Sequence, residues 1–247
     1  MIKYVFLGII QGLTEFLPVS SSGHLVVMQN ILSITADHVA VSVVLHLGTL
    51  LAVVLFFRKD ILSLLKNPKL LGLSAVVVVI TGIIGVLGKD FFESLFSSVK
   101  LVGVAWIFTG LLLISTKNFT QGNKDKFGVV DALILGLTQG LAIIPGVSRS
   151  GITISTLFFR GIQRQLAFVL SFLISIPIIL GAALLEAKKI GAVSAADSIN
   201  LAVGFLVSFI TGLFALLLLR LVINKAKFYY FGYYCLFMAI ITLLFIK

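Results

Sequence analysis

Two similar stretches of the chain constrain its fold more than any other feature of the sequence. The first reads LGIIQGLTEFLPVSSSG over residues 7–23, and the second reads LGLTQGLAIIPGVSRSG over residues 135–151, an offset of 128 positions. Each stretch begins apolar, breaks at a proline (Pro18 or Pro145) and continues through a small polar cluster. An internal repeat of this kind predicts two structurally related halves, each built around a broken helix.

The composition indicates that the solvent of this fold is lipid. Of 247 residues, 60% are hydrophobic and 11% are charged, and the mean hydropathy is +1.20. So few polar side chains cannot cover a water-facing surface, and we therefore expect an integral membrane protein. The net charge of +10 is carried in short loops between apolar runs, which is typical of charges that orient membrane helices and argues against a nucleic-acid partner. The single cysteine, Cys235, excludes an internal disulfide.

Six apolar runs are long enough, or nearly so, to cross a bilayer. They comprise residues 39–57, 70–88, 101–116, 166–185, 199–219 and 228–246. The two broken segments, residues 1–17 and 130–144, are short for a crossing, and each ends next to a proline. We interpret both as re-entrant helix pairs that return to the face they entered.

These elements predict an all-α integral membrane fold, with six transmembrane helices and two re-entrant helix pairs arranged as an inverted repeat. Because each half contributes three spans, an odd number, the second half is upside down relative to the first, and the re-entrant pairs meet near the midplane. The expected division is a first repeat over residues 1–116 with its re-entrant pair at 1–30, a linker loop over 117–128, and a second repeat over 129–247 with its re-entrant pair at 130–160.

The charges of the loops predict an orientation. Twelve Lys and Arg residues fall on one predicted side of the membrane and six on the other. Since positively charged loops stay in the cytoplasm, we expect a multi-pass protein of the cell membrane, with both termini and the functional site facing outward.

Glu15 is the acidic residue of the first broken segment, and Gln11 precedes it by four positions. This spacing places both side chains on one helical face. An ionisable group at membrane depth is costly and marks a functional site by default. The oxygens of the pair suit Mg²⁺ or Ca²⁺, and a phosphate site is the related interpretation. The structural alternative is that Glu15 pairs with Arg149 only to hold the two halves together.

A serine cluster with a histidine follows Pro18 and consists of Ser20, Ser21, Ser22 and His24. Hydroxyls and backbone N–H groups at the start of a helix can form an anion cradle. A histidine beside such a cradle can act as nucleophile or as general acid and base. The structural alternatives are a helix cap made by the serines and a packed, hydrogen-bonded histidine.

The second copy carries Ser148, Arg149, Ser150 and Thr153, with Arg149 at the position that Ser21 holds in the first copy. A guanidinium presents a fixed fork of donors that suits phosphate. We therefore expect one half to supply the acid and the imidazole, and the other half to supply the phosphate-binding cation.

The remaining polar and aromatic residues of the apolar runs are interpreted as structural. His46 and Gln139 are expected to be satisfied interhelical polar groups, with a place in the lining of the cavity as the alternative. Trp106 and the tyrosines between residues 229 and 234 are expected to pack or to anchor helices at the membrane interface. The sequence contains no Cys/His metal spacing, phosphate loop or dinucleotide fingerprint.

The two motifs resemble those of the undecaprenyl-pyrophosphate phosphatase family, also known as bacitracin-resistance proteins. GLTEFLPVSSSGH is similar to the first signature of that family and PGVSRSGITIS to the second, and the six predicted spans extend the resemblance over essentially the whole chain. It implies a membrane enzyme that removes the terminal phosphate of undecaprenyl pyrophosphate and so recycles the lipid carrier for cell-wall synthesis. Many members carry two glutamates in the first signature. Here Gln11 precedes Glu15, which leaves one carboxylate for a divalent ion.

The resemblance also implies roles for single residues. Those expected to take part in catalysis are Glu15, Ser21, His24 and Arg149. Those expected to bind the substrate phosphates are Ser20, Ser22, Ser148, Arg149, Ser150 and Thr153. Glu15 and Gln11 are the expected ligands of Mg²⁺ or Ca²⁺. Whether His24 attacks phosphorus or activates Ser21 or water stays open.

The expected partners are the membrane and a polyprenyl pyrophosphate lipid that enters from the outer leaflet, with a homodimer as a further candidate. The competing class is a transporter, because inverted repeats with broken helices are a common transporter plan. In that case the chain would be a flippase for the polyprenyl phosphate carrier. A third interpretation, an inactive lipid-binding homologue, is less favoured because Glu15, His24 and Arg149 are all present.

Overall fold

The computed structural model describes residues 1–32, 38–96, 98–119, 122–186 and 195–245. Over these ranges the regular structure is helical, apart from an isolated parallel β-bridge between Lys124 and Ile162. The helices are α1 (Ile2–Phe16), α2 (Ser21–Ile31), α3 (His38–Phe56), α4 (Arg58–Leu65), α5 (Pro68–Leu87), α6 (Lys89–Leu95), α7 (Val99–Ser115), α8 (Val129–Gly140), α9 (Arg149–Phe159), α10 (Arg164–Leu185), α11 (Ala195–Asn224) and α12 (Tyr230–Phe245). Two 3₁₀ turns follow α7 and α8, at Thr116–Asn118 and Leu141–Ile143. The predicted all-α fold is thus confirmed.

Five helices in the described ranges are long and apolar enough to cross a membrane. They are Val39–Phe56, Pro68–Leu87, Val99–Asn118, Arg164–Leu185 and Ser198–Asn224. They match five of the six predicted spans, and the protein is an integral membrane protein. The sixth predicted span, 228–246, contains α12, an apolar helix of 16 residues that is shorter than the other five. Residue 246 lies outside the described residues, and a crossing by α12 stays a prediction.

Each broken segment consists of a helix, an interruption at proline and a second helix. α1 ends at Phe16 and α2 begins at Ser21, on either side of Pro18. In the second copy, α8 and its 3₁₀ turn end before Pro145, and α9 begins at Arg149. Proline lacks an N–H and disfavours helical backbone at the residue before it, so each helix stops there. The return of each helix pair to one membrane face stays a prediction.

Equivalent helices of the two halves make reciprocal contacts. α1 of the first half lies along α11 of the second, while α8 of the second half lies along α5 of the first. The last helices of the halves, α7 and α12, pack against each other, and so do α3 and α10. Two halves related by an approximate two-fold axis produce this pattern of contacts. It supports the inverted repeat, whose orientation across a membrane stays a prediction.

A buried carboxylate fastens the linker to the second broken segment. Asp131, in the first turn of α8, accepts hydrogen bonds from Lys124 Nζ, from Arg160 Nε at 2.9 Å and from the Gly128 N–H at 2.9 Å. Its side chain is 1% exposed. Because both cations come from other elements, the linker, the start of α8 and the end of α9 are held together at one end of the molecule.

Glycines allow the broken segments to approach their neighbours closely. A Cβ at Gly8 or Gly12 of α1 would come within 2.7 Å of a backbone carbonyl of α11, that of Gly204 or Ser208. Thr211 of α11 donates to the Gly8 carbonyl at 3.3 Å. Small residues at helix contacts are the usual means of tight packing in membranes, where van der Waals contact and interhelical hydrogen bonds drive association.

We expect Gly12→Ala to destabilise the protein by about 1–3 kcal/mol, because the added methyl group overpacks the contact between α1 and α11. The matched control is Gly82→Ala in α5, where an added Cβ meets nothing within 4 Å. Alanine is the better helix former, so this variant should be as stable as the parent chain or slightly more so. Thermal unfolding in detergent measures both, and equal midpoints for the two variants would contradict the close approach.

Candidate active site

The polar ends of the two broken segments meet in an ion pair. Glu15, near the end of α1, accepts a hydrogen bond on Oε1 from Arg149 Nη2 at 2.5 Å. The side chains are 5% and 16% exposed. Arg149 is the first residue of α9, so the pair links the two halves. The structural alternative for Glu15 was a pair with Arg149 that only holds the two halves together. The observed contact agrees with that alternative and with a functional site built on the same pair.

The second oxygen of Glu15 is crowded by polar groups from the first half. Oε2 accepts from Ser21 Oγ at 2.5 Å and from Gln11 Nε2 at 3.1 Å. His46 Nε2 lies 3.3 Å from the same oxygen. One carboxylate thus orients a serine hydroxyl, an amide, an imidazole and a guanidinium around one point.

His46 is the site neighbour that the sequence interpretation did not favour. It comes from α3, where its Nδ1 donates to the Ser42 carbonyl at 2.7 Å. This bond fixes the ring so that Nε2 faces Glu15. The signal that could have identified His46 is its position as an ionisable side chain in the middle of an apolar span, the same criterion that singled out Glu15.

His24 has different partners from the Glu15 cluster. Its Nδ1 lies 2.8 Å from the Ser20 carbonyl, and its Nε2 lies 2.8 Å from the Tyr234 hydroxyl. The imidazole is 6% exposed and packs against the edge of Trp106, with ring centroids 4.9 Å apart. The structure therefore brings Gln11, Glu15, Ser21 and Arg149 together and places the ring nitrogens of His24 on other groups. The catalytic role of His24 stays a prediction.

The other predicted phosphate-binding residues shape the two turns. Ser20 Oγ caps α2 by accepting from the Gly23 N–H at 3.3 Å, and it also accepts from the Gly146 N–H at 3.1 Å. Ser22 Oγ lies 3.2 Å from Ser20 Oγ. Ser20 has φ +65°, a left-handed conformation that serine rarely adopts. Such strain persists only where the surroundings impose it, and it occurs most often at functional sites.

The second turn repeats the capping pattern. Ser148 Oγ accepts from the Gly151 N–H at 3.1 Å and lies 3.3 Å from Ser150 Oγ. Thr153 donates to the Arg149 carbonyl at 2.8 Å, and its hydroxyl lies 2.6 Å from that of Ser171. The helix-cap alternative is therefore present at both turns. It leaves open a second role for these residues, because α2 and α9 start beside the Glu15–Arg149 pair and direct the positive ends of their dipoles into this region.

Helix α7 satisfies backbone groups at both breaks. Trp106 Nε1 donates to the Val19 carbonyl at 2.8 Å. Thr109 Oγ1 donates to the Gly146 carbonyl at 2.9 Å and accepts from the Ser148 N–H at 3.2 Å. Trp106 is fully buried, so it packs inside the protein, and the interfacial position that was also expected is not observed. Thr109 was missed because a threonine in an apolar helix has no distinguishing pattern.

Two buried polar atoms of the cluster have no hydrogen-bond partner within the described part of the chain. They are Arg149 Nη1, a donor, and Gln11 Oε1, an acceptor. A buried unsatisfied group is costly, and a ligand that carries both anionic oxygens and a cation would satisfy both. Among the described residues there is no group of three or more His, Cys, Asp or Glu side chains that could hold a metal by itself. Glu15 and Gln11 carry oxygens of the type that hard cations prefer, but the Glu15 oxygens accept from Arg149, Ser21 and Gln11 Nε2. Ion binding by this pair stays a prediction.

Phenylalanines close one side of the cluster. The Arg149 guanidinium carbon lies 5.8 Å from the ring centroid of Phe172. Phe16 meets Phe172 edge-on at 5.5 Å, and Phe57 stacks on it at 5.7 Å. These rings exclude water from that side and lower the local dielectric, which strengthens each electrostatic contact of the cluster.

Comparison with known proteins gives one family and closely related sequences. The family model described as bacitracin resistance protein BacA matches residues 4–241. Undecaprenyl-diphosphatase of Halothermothrix orenii is 41% identical over 250 residues, covering 98% of this chain and 96% of the relative. Undecaprenyl-diphosphatase of Alkaliphilus metalliredigens is 42% identical, covering 98% of each chain. The protein of that name from Methanococcus maripaludis is 37% identical, covering 98% of this chain and 99% of the relative.

The ion pair makes a prediction for stability. Glu15→Gln or Arg149→Gln alone should cost about 3–5 kcal/mol, because each leaves an uncompensated buried charge. The double variant removes both charges and should unfold at a higher temperature than either single variant. Thermal unfolding of the three variants in detergent measures the difference, and additive losses in the double variant would contradict a direct pair.

Proposed function

The chain belongs to the bacitracin resistance protein BacA family, and from this membership we propose that it hydrolyses undecaprenyl pyrophosphate to undecaprenyl phosphate and inorganic phosphate. The relatives that carry the name undecaprenyl-diphosphatase align over nearly their whole length. The observation that best supports the proposal is the Ser21 hydroxyl held 2.5 Å from Glu15, beside an Arg149 whose Nη1 has no partner among the described residues. The product is the lipid carrier of cell-wall synthesis.

The substrate diphosphate is bound by Arg149 and by the starts of α2 and α9. Arg149 Nη1 is a buried donor without a partner in the described chain, and a guanidinium binds phosphate oxygens in a fixed geometry. The capped N-termini of α2 and α9 add the positive ends of two helix dipoles. These groups stabilise the charge that develops on the transferred phosphoryl group.

Ser21 is the proposed nucleophile, because its hydroxyl already donates to Glu15 Oε2. Its oxygen attacks the terminal phosphorus, the phosphoanhydride bond breaks, and Glu15 takes the serine proton and passes it to the departing undecaprenyl phosphate. Water then attacks the phosphoserine. Glu15 accepts a proton from that water and returns it to the Ser21 oxygen as inorganic phosphate leaves. Direct attack by His24 and activation of Ser21 or of water by His24 are the alternatives, and each requires His24 Nε2, which the Tyr234 hydroxyl occupies.

We propose Mg²⁺ or Ca²⁺ as a cofactor bound by Glu15 and Gln11. The unpartnered Gln11 Oε1 supports this assignment. The ion would offset part of the negative charge of the diphosphate. With an amide in the position where many relatives carry a second glutamate, we expect the protein to hold the ion weakly until the diphosphate supplies further oxygen ligands.

The finer features of localisation and assembly are also proposals. The excess of positive loops on one predicted side supports an active site and termini that face outward. Access of a reagent that cannot cross membranes to a cysteine placed at either terminus tests the orientation. The candidate homodimer is tested by light scattering of the purified protein in detergent.

Phosphate release in detergent separates the enzyme from a flippase, the competing class. Hydrolysis needs no membrane and can be measured in detergent. A pure flippase only moves lipid between two leaflets, so it has no activity in a micelle and releases no phosphate. We expect the purified protein to liberate inorganic phosphate from a polyprenyl pyrophosphate. In the same assay Arg149→Ala and Ser21→Ala should each lose about 10²–10³-fold or more in kcat. Arg58→Ala, an exposed arginine whose side chain donates to the Leu55 carbonyl, should retain the parent rate.

Removal of divalent ions should lower kcat, and added Mg²⁺ or Ca²⁺ should restore it. Gln11→Glu should reduce the ion concentration needed for half-maximal activity by about tenfold or more, because a second carboxylate is a better ligand than an amide. A titration of phosphate release against ion concentration measures both effects. Full activity of the chelated parent protein would remove the cofactor from the proposal.

A further inference from the structure

We infer that Tyr234, from the last helix of the second half, is the positioning residue that orients His24 of the first half. The inference rests on the proposed function where it concerns turnover. It goes beyond that function because the tyrosines of α12 lie outside the motifs of the two broken segments. The sequence predicts only packing or anchoring of helices for them.

The hydrogen bonds of His24 define one tautomer. The Ser20 carbonyl, 2.8 Å from Nδ1, can only accept, so Nδ1 carries a hydrogen. In the neutral ring Nε2 is then the acceptor, and the Tyr234 hydroxyl at 2.8 Å is its donor. Tyr234 therefore occupies the one nitrogen through which a neutral His24 could act as a base or as a nucleophile.

Ring packing fixes the direction in which that nitrogen points. The rings of Tyr234 and His24 are nearly parallel, with an interplanar angle of 11° and centroids 5.8 Å apart. Trp106 meets the imidazole at 70°, with centroids 4.9 Å apart. Trp106 is itself held by its bond to the Val19 carbonyl. The imidazole is thus held between two aromatic rings, and Tyr234 is the one that also bonds to it.

Cys235, the residue after Tyr234, places α12 against the first break. The Cys235 thiol lies 3.6 Å from the Pro18 carbonyl, and Cys235 is fully buried. Tyr234 is 40% exposed, whereas His24 is 6% exposed. Tyr234 therefore lies between the imidazole and the surface of the protein. The contact of Cys235 with Pro18 holds α12 beside the turn that carries the serines.

Loss of the Tyr234 hydroxyl should impair turnover and leave substrate binding intact. His24 Nδ1 donates to the carbonyl of Ser20, the residue before the proposed nucleophile Ser21, so the orientation of the imidazole bears on the position of Ser21. Without the bond to Tyr234, the imidazole loses the partner that fixes Nε2, and the Ser20 carbonyl is held less firmly. Within the described part of the chain, Tyr234 forms no hydrogen bond with Arg149 or with the serines at the starts of α2 and α9. The expected signature is a change in kcat without a change in KM.

The test is Tyr234→Phe, with Tyr233→Phe as the matched control. Both variants delete one phenolic hydroxyl from adjacent positions of α12, but Tyr233 packs only against the rings of Tyr229 and Tyr230 among the described aromatic contacts. We expect kcat of Tyr234→Phe to fall about 5- to 30-fold, the effect of losing one hydrogen bond, with KM within about twofold of the parent. Tyr233→Phe should match the parent in both constants.

A double-variant cycle tests whether Tyr234 acts through His24. If it does, Tyr234→Phe should cost nothing further in a His24→Ala background. An undiminished kcat in Tyr234→Phe, or an equal loss in the presence and absence of His24, would overturn the inference.

A spectroscopic measurement separates this inference from the proposed function. In protein labelled with ¹⁵N-histidine, the Nε2 resonance of His24, assigned with His24→Ala, should shift in Tyr234→Phe and stay in place in Tyr233→Phe. This measurement needs no activity. A parent protein that releases no phosphate would refute the proposed function alone, whereas an unshifted resonance in Tyr234→Phe would refute the positioning by Tyr234.

Discussion

The contact between Glu15 and Arg149 is the interaction on which the rest of the architecture depends. Two charges removed from water cost several kcal/mol each, and their attraction offsets this cost only if the geometry is good and the remaining polar atoms are satisfied. Here Glu15 Oε1 accepts from Arg149 at 2.5 Å, while Oε2 accepts from Ser21 and Gln11. The pair forms only if both broken helices stop at the same depth, so the positions of the two prolines and the packing of the two halves are conditions for it.

The breaks persist because side chains of the first half satisfy backbone groups at both of them. An interrupted helix inside a membrane exposes N–H and C=O groups that lipid cannot bind. At the first break the Val19 carbonyl accepts from Trp106, and at the second the Gly146 N–H donates to Ser20. Thr109 binds the Gly146 carbonyl and the Ser148 N–H. The side chains that bind the free backbone groups at the breaks also hold the serines and the first turns of α2 and α9 in position. The same hydrogen bonds therefore stabilise the fold and set the geometry of the site.

The sequence predicted what depends on local pattern and missed what depends on how helices rotate against each other. Apolar run length gave five of the spans, proline gave the breaks, and a spacing of four placed Gln11 beside Glu15, where it now donates at 3.1 Å. His46 could have been singled out as an ionisable residue in an apolar span, but its contact with Glu15 could not be predicted, and neither could that of Tyr234 with His24. The face that a uniformly apolar helix turns inward is not recorded in its hydropathy. The short helices α4 and α6 were missed for a related reason, since they lie between apolar runs and have no hydrophobic period long enough to recognise.

The two copies differ in their charged residues. Glu15 and Arg149 stand at positions that are not equivalent in the two copies, because Arg149 matches Ser21 of the first copy. The repeat therefore carries one ion pair between its copies, whereas copies with identical charged residues would carry two. In the second copy Ile143 stands at the position equivalent to Glu15, and Gln139 donates to Thr81 of α5 at 3.1 Å, where it fastens α8 to its neighbour. The first copy thus holds the carboxylate and the hydroxyl that donates to it, while the second holds the cation. A carboxylate can accept a proton and a guanidinium can bind phosphate oxygens, so this division supplies the two charges that the proposed phosphoryl transfer uses.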